Sequence, residues 1–235
     1  MNDNKRQARI AGFLYLLVAI TAPLGLMVVP ARLVVAGDPA ATAALIAGHA
    51  TLLRMGMASE LFHQAVEVFM VLVLYNLFKP VNKTLAQQML VLGLVPIPMV
   101  FLNVLGEVAA ATVAGGPAWL AAFGKPQLDA LVLLFMHLHA QGLQLAAVFW
   151  GLWLFPLGLL ALRCGFIPKV FGWLVIASSL GYVLGSFTSL IAPGLAAALG
   201  TPVFLLELGE PMMILWLVLV GARTKPLATP AAVPA

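Results

Sequence analysis

Residues 54–78 read RMGMASELFHQAVEVFMVLVLYNLF. A helix needs roughly 20 apolar residues to cross a hydrocarbon core of about 30 Å, and this run is long enough to do so. It nevertheless contains Glu60, His63, Gln64 and Glu67. Spacings of three and four put Glu60, His63 and Glu67 on one helix face. The segment therefore reads as a membrane span that turns an ionisable stripe toward the interior of a bundle, where such groups are functional candidates by default.

The same ruler finds further apolar runs at 10–31, 85–114, 137–162, 167–191 and 202–221. With 54–78 they make about six spans, and the fold class that follows is all-α, a polytopic transmembrane helical bundle. Composition agrees. The chain is 63% hydrophobic and 9% charged, with a mean hydropathy of +1.08, whereas soluble domains carry about 25% charged residues. A water-soluble domain is excluded. The basic residues are scattered between apolar runs instead of clustered on one face, so no nucleic-acid partner is expected. The single cysteine, Cys164, excludes an intramolecular disulfide framework and a cysteine-based metal cage.

Lys5, Arg6 and Arg9 ahead of the first run resemble the start of a secretory leader. The run is about 20 residues long, has no clean A-x-A site and is followed by equally long runs, so it is expected to be the first membrane helix. Pro96 and Pro98 predict a kink in the third span. The stretch 126–163 contains no turn signal and reads as one long helix projecting outward. Asp38 and Pro39 fit an N-cap and first helical position, giving a short outer-surface helix near 39–49. The expected organisation is a single transmembrane domain over 1–223 and a disordered tail over 224–235, which is rich in Pro and Ala.

Orientation follows from the excess of Lys and Arg in cytoplasmic loops. With the N-terminus inside, the inner segments hold Lys5, Arg6, Arg9, Lys79, Lys83, Arg163, Lys169, Arg223 and Lys225, and the outer segments only Arg32, Arg54 and Lys125. Both termini are expected in the cytoplasm. The polar residues then fall in one leaflet. Asn103 and Glu107 share a face of the third span. His137, Gln141 and Gln144 form a stripe on the fourth, with His139 on its other side, and Glu207 and Glu210 lie three apart on the sixth. The rise of about 1.5 Å per residue puts Glu67 and Glu210 near the midplane and Glu60, Glu107 and Glu207 outward of it. His137 and His139 are expected near the outer interface.

Five carboxylates gathered in one half-membrane cannot all stay ionised without a counter-charge, so protons or a metal must balance them. Glu60-x-x-His63 on a bundle helix, joined by glutamates from other helices, is the pattern by which carboxylate bundles hold metals. The candidate ligands are Glu60, His63, Glu67, Glu107 and Glu210, completed by His137, His139 or Glu207. A mixed His and carboxylate set suits zinc, iron or manganese. Such a site is capable of activating water to hydrolyse an amphipathic or lipid-like substrate that enters from the bilayer. The alternatives are a proton-coupled small-molecule transporter or binding protein, against which the lack of an internal repeat weighs, and a non-catalytic membrane subunit with a hydrogen-bonded interior.

Several segments carry a family resemblance. They are Arg9-Ile-Ala-Gly12 with Tyr15-Leu-Leu, Leu53-Arg-Met-Gly56, Leu74-Tyr75 leading to Lys79-Pro-Val-Asn-Lys-Thr-Leu-Ala86, His139-Ala-Gln-Gly142, Gly165-Phe-Ile-Pro168 with Gly172, Gly181-Tyr182, and Gly209-Glu210 before Leu215-Trp216-Leu217. Together they resemble a bacterial membrane family catalogued as domain of unknown function 4386, over residues 9–221. The resemblance implies a six-helix protein of the bacterial cytoplasmic (inner) membrane with no assigned activity. It also implies acidic residues at 60, 67 and 210 and a histidine at 139, whereas His63, Glu107, His137 and Glu207 lie outside its pattern.

Overall fold

The computed structural model describes residues 3–223, and among these the secondary structure is helical, without strands. The tail expected to be disordered lies outside the described residues. Six helices are long and apolar enough to cross a membrane: α1 (Asp3–Leu33), α3 (Ala50–Phe78), α4 (Lys83–Ala114), α5 (Lys125–Arg163), α6 (Lys169–Ile191) and α7 (Pro193–Leu219). A shorter helix, α2 (Pro39–Gly48), joins α1 to α3. The protein is thus a multi-pass helical bundle.

Local chemistry sets the ends of these elements. The Asp38 carboxylate accepts from the Ala41 amide at 2.9 Å, with Pro39 at the first helical position of α2. Asn82 plays the same capping part for α4, accepting from Leu85 N at 2.9 Å. That helix breaks at Val95 and resumes at Pro96, where a proline in a first turn loses no hydrogen bond that the helix would have made. α5 runs unbroken for 39 residues, a rod of about 58 Å at the usual rise. Both α5 and α7 begin upstream of the apolar runs at 137 and 202, because helix continues beyond the stretch that needs to be apolar.

One feature of α1 has no counterpart in the sequence reading. Residues Leu24–Val28 form a π-helical segment, which inserts an extra residue into the turn. Gly25 lies in it, and a Cβ there would stand 2.7 Å from the Gly56 carbonyl oxygen and closer still to the Glu60 side chain. The segment and its glycine let α1 lie directly on α3 at Glu60.

Two apolar clusters hold the bundle. One contains Tyr15, Met70, Leu74, Phe78, Met89, Trp153, Leu157 and Leu217, and the other Val29, Leu33, Ile46, Leu53, Val113, Val132 and Met136. On α3 the buried residues Glu60, His63, Gln64 and Glu67 fall between Leu53 of the second cluster and Met70 of the first. A polar layer is therefore enclosed between two apolar ones. Large apolar side chains such as Phe13, Phe69, Leu102 and Trp173 point outward, each more than 60% exposed, as suits a surface solvated by lipid tails.

Candidate metal centre

Three helices bring Glu60 (α3), Glu107 (α4) and His139 (α5) to one point. Each offers a ligand atom, and those atoms lie within 4.8 Å of one another. Glu60 and Glu107 are 0% exposed and His139 is 2% exposed. His139 Nε2 stands 3.3 Å from Glu60 Oε1. Both oxygens of Glu60, both oxygens of Glu107 and His139 Nε2 are buried without a hydrogen-bond partner. Buried polar atoms are ordinarily paired, and here five unpaired ones converge.

The other side of the imidazole is held. His139 Nδ1 lies 3.1 Å from the Asn103 backbone oxygen, and Asn103 Nδ2 donates to the His139 carbonyl at 2.8 Å. Asn103 Nδ2 also lies 3.2 Å from His139 Nδ1; in the tautomer with Nδ1–H directed at the Asn103 carbonyl, the Nε2 lone pair faces the two glutamates. A histidine whose second nitrogen is fixed in this way is the usual form of a metal ligand. Glycines let the helices approach closely enough. A Cβ at Gly106 would stand 3.1 Å from the Phe135 oxygen and 3.2 Å from His139 Cβ, and one at Gly142 would overlap the Asn103 side chain.

The remaining candidates lie elsewhere. His63 is buried, but Nδ1 faces the Ser59 carbonyl oxygen at 3.1 Å and Nε2 faces Gln64 Nε2 at 2.9 Å, so both nitrogens are engaged away from the three ligand atoms. Glu67 is buried further along α3. Glu210 accepts hydrogen bonds from the Tyr15 hydroxyl and, at 2.9 Å, from the Tyr182 hydroxyl. Glu207 lines a separate cavity between α5, α6 and α7. His137 is exposed, on the wall of a groove between α1 and α5. His139 is enclosed by protein, since α5 packs along α4 on that side and Glu60 reaches the ring from α3.

The groove has a volume of about 600 Å³ and runs between the C-terminal part of α1 and α5, lined by Leu26, Pro30, Leu133, Leu134, His137, His139 and other residues. Its walls are almost wholly apolar, and His139 is where they reach the buried cluster. Gly25, Gly106 and Gly142 complete this site without being candidates in the sequence, where Asn103 stood only as a polar neighbour of Glu107. The i, i+4 pairing of Asn103 with Glu107 and the glycine in His139-Ala-Gln-Gly142 were the signals available.

Fold and site define a class, a helical bundle of six spans with a buried Glu/Glu/His cluster. The chain belongs to the family described as domain of unknown function DUF4386, whose model matches residues 10–221. It is also similar to a protein from Archaeoglobus fulgidus described as uncharacterized, at 35% identity over 81 residues, which is 34% of this chain and 47% of that protein. The match thus spans about half the length of that relative. No solved structure matches the chain.

Proposed function

We propose that Glu60, Glu107 and His139 bind a divalent cation, and that the site hydrolyses an amphipathic substrate reaching it from the bilayer. The observation that carries this reading is the set of five unpartnered buried atoms on three side chains, from three helices, within bonding reach of one ion. Two carboxylates and an imidazole suit zinc, iron or manganese, and three protein ligands leave a coordination position open, as hydrolytic sites require. A divalent cation supplies such a site with water activated for attack at neutral pH. Asn103 orients the imidazole, and the apolar groove along α1 and α5 is suited to an acyl chain whose scissile bond would lie beside His139.

Further ligands from the wider candidate set, Glu67, Glu210, His63, His137 and Glu207, are not needed for this centre. The distribution of Lys and Arg supports both ends facing the cytoplasm, and the reading is completed by a single transmembrane domain over 1–223 in a bacterial cytoplasmic membrane. Purified protein in detergent, loaded with zinc, iron or manganese and then desalted, should retain close to one equivalent of one of these metals by elemental analysis. Glu60→Gln with Glu107→Gln should retain none while melting at a similar temperature. Retention of no metal by the wild-type chain, or equal retention by the double variant, would sink the reading.

A further inference from the structure

The second cavity, between α5, α6 and α7, has a volume of about 270 Å³ and shares no lining residue with the groove at His139. We propose that it binds an organic ammonium group, with Glu207 as counter-charge and Trp150 and Tyr182 as aromatic walls. The argument begins with what the lining offers. Gln144, Trp150, Tyr182, Ser186, Thr188, Ser189 and Glu207 contribute its polar and aromatic surface, and no Lys or Arg is among the lining residues.

Three of the four lining hydroxyls have already committed their hydrogens. Ser186 Oγ donates to the Tyr182 carbonyl at 2.7 Å, and Thr188 Oγ1 to the Leu184 carbonyl at 2.7 Å. The Tyr182 hydroxyl donates to Glu210 at 2.9 Å. What remains for a ligand is acceptor lone pairs, the Gln144 amide, the Ser189 hydroxyl, the Trp150 indole N–H, aromatic rings and one carboxylate. The Glu207 side chain makes no hydrogen bond among the described residues, although its backbone oxygen accepts from Ser178 at 3.3 Å.

Room for that carboxylate is provided by glycine. A Cβ at Gly181 would stand 3.2 Å from Glu207 Cγ, and one at Gly185 would be 3.9 Å from Glu207 Oε1. The Gly181 and Gly185 notch on α6 thus receives the Glu207 side chain from α7. An anion would meet a carboxylate here with no cation among the lining residues to offset it. An ammonium group finds a counter-charge, oxygen acceptors and two rings whose faces attract cations by about 0.5–2 kcal/mol each. The volume suits a headgroup-sized cation more than a large drug-like molecule, whose pockets run from about 300 Å³ upward.

The amine has two possible sources, a free small ammonium compound and a phospholipid headgroup, and one experiment separates them. Full-length protein is placed in nanodiscs of phosphatidylglycerol, which carries no amine, with a chelator present so that the metal centre plays no part. Tetramethylammonium chloride is titrated against tryptophan fluorescence and calorimetry, with sodium chloride matched for ionic strength. Saturable binding is expected, weakened at least tenfold in Glu207→Gln and in Ala196→Phe, which fills the cavity from α7. Glu60→Gln should bind like wild type, which separates this result from the fate of the metal reading. In nanodiscs containing phosphatidylethanolamine, loss of tetramethylammonium binding identifies the lipid headgroup as occupant, and retained binding identifies the free amine. No saturable binding in phosphatidylglycerol, or undiminished binding in both Glu207→Gln and Ala196→Phe, would overturn the proposal.

Discussion

At the scale of single residues, the proposed metal reading gives Asn103 a definite part. Its backbone oxygen and side-chain amide fix the His139 ring from the side opposite the glutamates. Partners of this kind typically contribute 10- to 100-fold in metal affinity. Asn103→Leu should therefore weaken zinc binding by about 10- to 100-fold in competition with a calibrated chelator, without abolishing it, whereas His139→Ala should remove it. Protonation gives a second expectation. Carboxylate and imidazole ligands bind a cation only when deprotonated, so protons compete and affinity must fall as pH falls. Zinc competition at pH 6 and pH 8 should show weaker binding at pH 6, and an affinity independent of pH would mean that these three side chains are not the ligands.

The groove exists at the scale of elements. A regular α-helix from Asp3 to Leu33 would carry its outer turns on a different face, since the extra residue in Leu24–Val28 shifts everything beyond it by about 100° of helical rotation. Deleting Met27 restores the shorter repeat and rotates Pro30 and Leu33 back. The deletion should reduce labelling of a cysteine placed at Leu133 by a lipid-soluble maleimide, and should lower metal loading through the displaced contact at Glu60. How far the elements were legible in the sequence follows the same physics. Spans declare themselves because roughly 20 apolar residues in a row are expensive anywhere but in lipid, and Pro96 marked its own break. The π-helical segment could not be read, since Gly25 and its neighbours look like any other stretch of an apolar helix. Glu60 and Glu107 were visible as carboxylates within spans. Which of the eight candidates meet depended on helix rotation and on glycine contacts between helices, and sequence periodicity fixes neither. That His139 is enclosed by protein could not be read from its place on the long helix over 126–163, because burial depends on which neighbouring helices meet that face.

For the whole molecule the open physical quantity is which way it sits in the bilayer. Loops on the α3–α4 and α5–α6 sides carry Lys79, Lys83, Arg163 and Lys169, and the opposite ends carry few cations, so these loops should face the cytoplasm. Cysteine mapping suits this chain because its own thiol interferes little. Cys164 Sγ donates to the Ala161 oxygen at 3.3 Å, and burial pushes the thiol up from its ordinary value. A raised value means less thiolate at any given pH, and hence slow alkylation near neutrality. In intact cells a membrane-impermeant maleimide should label a cysteine introduced at Gly116 and leave one at Val81 unlabelled until the cells are opened. The reverse pattern would invert the orientation and place the groove in the inner leaflet.

The unbroken length of α5 has a further consequence. Among the described residues it is the helix that lines both the Glu/Glu/His cluster and the cavity beside Glu207, through His139 and Gln144. These stand five positions apart, about 7.5 Å along the axis, on a rod without a break between them. Two ligands gripping one rigid rod do not bind independently if either moves it. Thermodynamic linkage then makes the effect mutual: whatever factor zinc applies to the affinity for tetramethylammonium, tetramethylammonium must apply to the affinity for zinc.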